Sequence, residues 1–233
     1  DLGGGSLELA VIQFSSEPGK TQDMGSHESS YPIGSLRLRS LSGGKKSRAL
    51  EIIDNHIANY PSLREMKGET FYAIGGGFRS IAKVHMDRAS YPLQILDHYS
   101  VKCSELRPTL ELLINASPSA LARMSEVSSS RVDTIGNAAL LLDRIIELGK
   151  PARVSFSTFG VREGLLFDKL PQNWRNGDVL IEGAVDLVRH LSPDTSVEWV
   201  EYGHALNEWL SEILPEKNYA RERLRLAACL LSW

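Results

Sequence analysis

Two clusters of glycine residues have the composition of a phosphate-binding site. The first occupies residues 1–6 (Asp-Leu-Gly-Gly-Gly-Ser), and the second occupies residues 74–80 (Ile-Gly-Gly-Gly-Phe-Arg-Ser). Glycine permits positive φ angles and lets backbone N–H groups approach an anion with no Cβ atom in the way. Because the second cluster lies between a predicted strand and a predicted helix, we expect the first N–H groups of that helix to face a phosphate.

Two carboxylates and a hydroxyl beside the first cluster are the candidate metal ligand and catalytic groups. Asp1 supplies a hard oxygen of the kind that holds Mg²⁺ together with water and substrate phosphates. If the strand that follows alternates, Glu8 lies on the same side as Ser6, where it could orient water or the metal.

Each cluster taken singly also allows a simpler interpretation. One run of three glycines is more often a turn or a flexible joint than a phosphate site, and Asp1 could be an ordinary surface carboxylate. Two such turns, each after a predicted strand, favour a phosphate site. Their spacing matches neither the dinucleotide fingerprint G-x-G-x-x-G nor the P-loop with its terminal Lys-Ser/Thr. We therefore disfavour a Rossmann or P-loop enzyme.

The elements that must position these clusters follow from the apolar periodicity of the chain. Strands are predicted at 7–14, 69–74, 94–100 and 153–156, with a loop or ragged hairpin at 15–30. Helices are predicted at 35–41, 45–60, 78–88, 104–114, 117–124, 134–148 and 161–170. After Pro171 only helices are predicted, at 178–192, 199–213 and 219–231. We therefore predict an α/β domain over residues 1–170 and an all-α domain over residues 171–233.

Composition and charge argue against nucleic acids and membranes as binding partners. The chain has 233 residues with 26 basic and 29 acidic side chains, and its net charge of −3 argues against a globally basic nucleic-acid binder. It has no apolar run near the roughly 18 residues that cross a bilayer, and no signal peptide opens it. Its two cysteines and six histidines show no disulfide framework and no metal-ligand spacing. We expect a cytoplasmic protein without nucleic-acid or membrane partners.

One short basic run could line the path of a polyanionic substrate. It comprises Arg37, Arg39, Lys45, Lys46 and Arg48. For Lys45 and Lys46 a solvated helix start after a Gly-Gly loop is the favoured interpretation.

Five stretches, in order along the chain, resemble the exopolyphosphatase/guanosine pentaphosphate phosphatase (Ppx/GppA) family of the actin, hexokinase and Hsp70 ATPase superfamily. They are residues 1–9, 32–38, 71–80, 131–134 and 160–166. The resemblance implies a ribonuclease-H-like α/β fold in two halves, of which residues 1–170 form the second half. It further implies that residues 171–233 begin a helical domain similar to the HD phosphohydrolases, although this chain lacks their His-Asp pair. Members of the family are commonly dimers, so we expect a homodimer.

The resemblance also assigns roles to individual residues. Asp1 corresponds to the aspartate on the metal side of the site, and Glu8 and Ser6 correspond to catalytic groups, with Glu8 helping to position water. Phosphate binding falls to Gly3, Gly4, Gly5, Ser6, Gly75, Gly76 and Gly77, with Arg79 beside them. The family's first phosphate loop and a catalytic glutamate normally precede residue 1. We therefore expect little or no hydrolase activity from this chain alone.

The implied activity is Mg²⁺-dependent hydrolysis. The substrate is inorganic polyphosphate, which loses its terminal phosphate, or guanosine pentaphosphate, which loses its 5′-phosphate. The sequence leaves the choice between them open, because the shared clamp holds only phosphates. Two alternatives remain: a catalytically silent sensor of polyphosphate or (p)ppGpp, and an ATP-dependent sugar or acetate kinase of the same superfamily. The stretches at 131–134 and 160–164 fit the phosphatase branch better than the kinases.

Overall fold

The computed structural model describes residues 1–11, 28–215 and 218–232. The chain divides into two compact units, Asp1–Leu166 and the part from Phe167 onward. The end of the strand predicted at 7–14 and most of the loop predicted at 15–30 lie outside the described residues.

The strands of the first unit form two small sheets. Strand β1 (Leu7–Leu9) pairs antiparallel with β2 (Ser29–Tyr31), which agrees with the hairpin alternative for this region. Strands β3 (Thr70–Ile74), β4 (Tyr99–Lys102) and β5 (Arg153–Ser157) form the second sheet in the order β3-β5-β4. The central strand β5 runs parallel to β3 and antiparallel to β4. The ends of β3 and β5 therefore meet at one edge of the sheet.

Strand β4 begins five residues later than the position predicted from sequence. The segment before it turns back on itself, because the N–H of Tyr99 donates to the carbonyl of Leu96 at 3.0 Å. Within this turn His98 adopts φ 57°, the left-handed region that a residue with a Cβ atom seldom occupies. The apolar residues at 93–96 therefore lead into this turn and are not part of the strand.

Eight helices begin in the first unit, and one of them is long and buried. They are α1 (Ser35–Ser42), α2 (Lys46–Ile57), α3 (Ser62–Glu65), α4 (Gly76–Arg88), α5 (Cys103–Asn115), α6 (Pro118–Leu121), α7 (Ile135–Gly149) and α8 (Val161–Lys169), with a 3₁₀ turn at Ser129–Arg131. Helix α7 is the buried one, since apolar residues such as Ala138, Leu141 and Ile145 cover most of its circumference and are fully inaccessible to solvent. It packs against α5, α4 and α2, and so fixes the start of α4 in place.

The second unit contains helices only. They are α9 (Gln172–Arg175), α10 (Val179–Leu191), α11 (Ser196–Ile213) and α12 (Tyr219–Leu230). Ala184, Ala227 and Leu230 form its small core. Asp178 caps α10 by accepting from the N–H groups of Leu180 and Ile181, as expected for an aspartate at this position.

The mixed α/β class is confirmed, with small sheets and many helices. None of the helices in the described ranges is long and apolar enough to span a membrane. The boundary at residue 170 and the HD-like character of the helical part stay predictions.

Candidate functional site

A cleft of about 220 Å³ lies at the sheet edge where β3 and β5 end. The carboxyl ends of parallel strands face the same edge, and ligands of α/β proteins commonly bind there. The chain leaving β3 contributes residues 74–76 to the lining, and the chain leaving β5 contributes Thr158 and residues 160–163. Residues 1–4, the first glycine cluster, line a third side.

The first glycine loop is held against β3 and against the start of α1. The N–H of Leu2 donates to the carbonyl of Ile74 at 2.9 Å. The carbonyls of Gly3 and Gly4 accept N–H groups from the first turn of α1, at 3.0–3.1 Å. These hydrogen bonds pair N–H groups that the helix itself leaves unsatisfied, and they join the loop to the start of α1.

Two further glycines are required for this loop to pack so closely. A Cβ atom on Gly34 would lie 2.5 Å from the carbonyl carbon of Gly4. Gly75 has φ 109°, and a Cβ atom there would lie 2.6 Å from Oδ1 of Asp1 and would collide with the carbonyl oxygen of Leu2. The two clusters therefore meet backbone to backbone at Gly75.

Helix α4 begins inside the second glycine cluster, two residues earlier than predicted. Gly76 and Gly77 form its first turn, and the first backbone bond runs from the N–H of Arg79 to the carbonyl of Gly75 at 3.0 Å. None of the described side chains caps this end. The preceding N–H groups of the helix have no partner within it, and the positive end of its dipole lies at the cleft.

Three arginine side chains line the cleft: Arg79, Arg131 and Arg162. The guanidinium of Arg131 lies over Gly76, with Cζ 2.9 Å from where a Cβ atom of that glycine would be. Nη1 of Arg79 donates to the carbonyl of Thr158 at 3.5 Å. Within the described ranges none of the three forms an ion pair with a carboxylate. Among the described residues, none of the three guanidinium groups is therefore neutralised by a direct ion pair.

Two carboxylates line the cleft, those of Glu163 and Asp1, and they differ in their hydrogen bonds. Oε2 of Glu163 accepts the N–H of Gly160 at 2.7 Å; this hydrogen bond is the main reason the pKa of Glu163 is lowered, and the positive charges of Arg162 and Arg79 lower it further. Glu163 is thus an ionised cap at the start of α8. Asp1 has no such bond to a helix end.

Residues 1–8 form a short hairpin of their own, with Leu2 opposite Leu7, and Asp1 faces Glu8 across it. The N–H of Glu8 donates to the carbonyl of Asp1 at 2.9 Å, and the backbone nitrogen of Asp1 donates to the carbonyl of Glu8 at 2.8 Å. Side chains of residues directly opposite each other in an antiparallel pair project from the same face. The carboxylates of Asp1 and Glu8 therefore lie on one face of the hairpin.

The side chains at the cleft suit a metal ion that takes few of its ligands from the protein. Across residues 1–11, 28–215 and 218–232 no group of three or more His, Cys, Asp or Glu side chains could hold a metal ion. Mg²⁺, however, commonly binds through one or two carboxylates and takes its other ligands from water and substrate phosphates. Asp1, at the edge of a cleft lined by arginines and helix N–H groups, fits that arrangement.

The cleft brings together only part of the predicted site. Its lining includes Asp1, Gly3, Gly4, Gly75, Gly76 and Arg79, but not Gly5, Ser6, Glu8 or Gly77. The carboxylate of Glu8 accepts the hydroxyl of Ser30 at 3.3 Å. Gly77 is buried, and a Cβ atom on it would lie 3.0 Å from Cβ of Ala138, so its small size serves helix packing.

Sequence reasoning missed four polar side chains that line the cleft. They are Arg131, Thr158, Arg162 and Glu163. Three of them lie in the stretches at 131–134 and 160–166, which carried the family resemblance but received no role.

The predicted basic run, by contrast, does not reach the cleft lining. Arg39 pairs with Asp133 at 2.7 Å and Arg48 pairs with Glu51 at 2.7 Å. Nζ of Lys46 donates to Oδ1 of Asn115 at 3.2 Å. The exposed contact of Lys46 supports the solvated interpretation of that residue.

A family model and several solved structures match this chain. A model of the Ppx/GppA phosphatase family matches residues 1–173. The chain belongs to this family. The resemblance noted from the sequence is thereby confirmed. Among curated proteins no sequence matches the chain significantly.

Solved structures of the family share the fold. An exopolyphosphatase-like protein superposes with a TM-score of 0.61 at 20% identity, over 72% of this chain and 56% of its own. The type II variant of the Aquifex aeolicus Ppx/GppA phosphatase gives 0.56 at 18% identity, over 73% and 55%. An exopolyphosphatase from Cytophaga hutchinsonii gives 0.52 at 14% identity, over 71% and 54%. The chain thus spans a little over half the length of each of these structures.

Proposed function

We propose that the cleft binds the end of a phosphoanhydride chain and serves the release of its terminal phosphate. The substrate is inorganic polyphosphate or guanosine pentaphosphate, which would lose its 5′-phosphate. The observation that carries this proposal is the convergence of three arginines without carboxylate partners among the described residues, an uncapped helix start and a glycine loop on one cleft. Family membership supports the same class of chemistry.

The groups in the cleft are suited to catalysing phosphoryl transfer. In this reaction the protein takes little part in covalent chemistry, because positioning the reactants and neutralising the phosphate oxygens provide most of the rate enhancement. The N–H groups at the start of α4 and the guanidinium of Arg131 would bind one phosphate, since both lie at Gly76. Arg79 and Arg162 would hold its neighbours along the chain.

Asp1 would hold Mg²⁺, which when bound neutralises charge on the phosphate oxygens. Glu8, on the same face of the hairpin, would position the attacking water, and Ser6 and Gly5 would complete the phosphate loop. The remaining parts of the proposal rest on family resemblance: a cytoplasmic homodimer whose residues 171–233 belong to an HD-like helical domain.

One observation favours a second candidate, a sensor that binds these substrates without hydrolysing them. The carboxylate of Glu8 contacts Ser30 and does not line the cleft, so the described lining offers binding groups more fully than a group for activating water.

The test is phosphate release from long-chain polyphosphate and, separately, from pppGpp, measured with and without Mg²⁺ on this chain supplied with the first half of the fold that the family resemblance implies. Mg²⁺-dependent release supports the hydrolase, and the better substrate identifies the preference. Saturable binding without release would support the sensor. Phosphate transfer from ATP to a sugar or acetate would overturn both in favour of a kinase.

A further inference from the structure

Asp97 lies beside the cleft without lining it. Strand β4 is antiparallel to β5, with Tyr99 opposite Phe156. The residues just before β4 therefore lie next to those just after β5, where the chain enters the cleft. The turn that carries Asp97 contains His98 in the left-handed conformation, which is costly for a residue with a Cβ atom. Backbone strain of this kind often marks a functional position.

One oxygen of Asp97 gathers three hydrogen bonds from the end of β5. Oδ1 accepts the N–H of Thr158 at 2.9 Å, the hydroxyl of Thr158 at 3.1 Å and the hydroxyl of Ser157 at 3.2 Å. The side chain of Asp97 is 22% exposed, so water competes weakly for these donors. Bonds to an ionised acceptor are stronger than neutral ones, and together they fix the orientation of the Thr158 peptide.

The peptide fixed in this way contacts a phosphate-binding candidate. The carbonyl of Thr158 accepts Nη1 of Arg79 at 3.5 Å. Arginine has many rotamers, and a fixed carbonyl reduces the number that Arg79 explores before a ligand arrives. The contacts thus connect Asp97 to Thr158, and Thr158 to a guanidinium in the cleft.

We propose that Asp97 is a positioning residue: it holds the Thr158 turn so that the carbonyl of Thr158 aims Arg79 into the cleft. The role of Arg79 in holding phosphate rests on the proposed function. The action of Asp97 on Thr158 and Arg79 does not, and it is measurable without a ligand.

The first experiment is NMR on the ligand-free chain, following amide exchange at Thr158 and the order of the Nε–Hε group of Arg79. Asp97→Ala removes all three acceptor contacts and is expected to speed exchange at Thr158 by about tenfold and to disorder Arg79. Asp97→Asn keeps an Oδ1 acceptor without the charge and should restore part of both effects. Asp186→Ala and Asp186→Asn, at an exposed aspartate on α10, are the matched controls. Unchanged exchange and unchanged Arg79 order in a folded Asp97→Ala chain would overturn the proposal.

The second experiment is a double-mutant cycle on binding of pyrophosphate with Mg²⁺. Asp97→Ala should weaken binding about fivefold in the wild-type background and by less than about twofold in an Arg79→Gln background. Equal losses in both backgrounds would show that Asp97 affects binding independently of Arg79, and would overturn the link between the two residues. Absence of pyrophosphate binding by the wild-type chain would refute the proposed function, and the NMR results would still decide the role of Asp97.

Discussion

Gly75 is the residue on which the two glycine clusters depend. It combines φ 109° with direct contact to the backbone of Leu2 and the carboxylate of Asp1. Either property alone would favour glycine, and the two together leave no room for a side chain. The absence of a Cβ atom on Gly75 therefore allows Asp1 to lie close to the start of α4.

Gly75→Ala is expected to destabilise the first unit and to weaken phosphate binding. The strained backbone contributes about 1–3 kcal/mol, and the collision with Leu2 adds to it. Gly164→Ala is the control, because Gly164 lies within α8 with no atom within 4 Å of an added Cβ. That change should leave stability unaltered or raise it by about 1 kcal/mol. Urea unfolding followed by circular dichroism gives both values, and equal effects of the two substitutions would contradict the role of Gly75.

Helix α4 is anchored far from the cleft by His85. This side chain is 7% exposed, with Nδ1 2.6 Å from the hydroxyl of Tyr99 and Nε2 3.3 Å from the carbonyl of Glu105. Because a carbonyl only accepts, Nε2 carries the proton and Nδ1 accepts from Tyr99. The neutral ring therefore links α4 to β4 and to α5, in agreement with a structural role for this histidine.

Burial lowers the pKa of His85, and the neighbouring Glu105 opposes this effect only in part. An NMR titration should give a midpoint below the ordinary value of about 6.5, with the signal assigned by its loss in His85→Gln. As the pH falls below about 6.5, His85 is protonated in the unfolded chain but stays neutral in the folded chain. The free energy of unfolding therefore decreases with falling pH until the pH reaches the lower pKa of the folded state. The slope from this one group is at most about 1.4 kcal/mol per pH unit. A midpoint at or above 6.5 would contradict the burial argument.

The elements show what sequence patterns can and cannot predict. The sequence predicts helix α7 to within one residue at each end, because its apolar residues recur at helical spacing over a long run. The sequence predicts the start of α4 at Phe78, yet the helix begins at Gly76, and contacts with Leu2, Ala138 and Arg131 require small residues at Gly76 and Gly77. Those contacts join segments far apart in the chain. Arg131 and Arg162 received no role from the sequence for the same reason, since only the fold brings them to the glycine loops.

At the scale of the whole molecule, the chain combines a glycine-rich α/β unit with a helical unit that contains all four tryptophans. Within the helical unit Asp178 both caps α10 and binds the guanidinium of Arg223 on α12, with Nη2 2.6 Å from Oδ1. The hydrogen bond from Arg223 is the main reason that the pKa of Asp178 is lowered. The stabilisation is therefore present above the unfolded pKa of about 3.9 and is lost as the pH falls through the lower folded value.

Asp178→Ala is expected to lower the unfolding free energy reported by tryptophan fluorescence by about 1–3 kcal/mol, because it removes a helix cap and a charge-assisted contact. Asp186→Ala, at an exposed aspartate of the same helix, should change it by less than about 0.5 kcal/mol. Affinity for pyrophosphate should stay the same in both variants. Weaker phosphate binding by Asp178→Ala would contradict the assignment of the site to the first unit.

The central claim, that the cleft binds a phosphoanhydride chain, is tested most directly by calorimetric titration with tripolyphosphate in the presence of Mg²⁺. The wild-type chain should bind at a single site. Arg131→Gln should bind about 10–100-fold more weakly, as expected for the loss of a hydrogen bond to a charged group. Arg123→Gln, at an exposed arginine outside the cleft, should match the wild type within about twofold. No binding by the wild type, or equal affinity in the Arg131 and Arg123 variants, would contradict the claim.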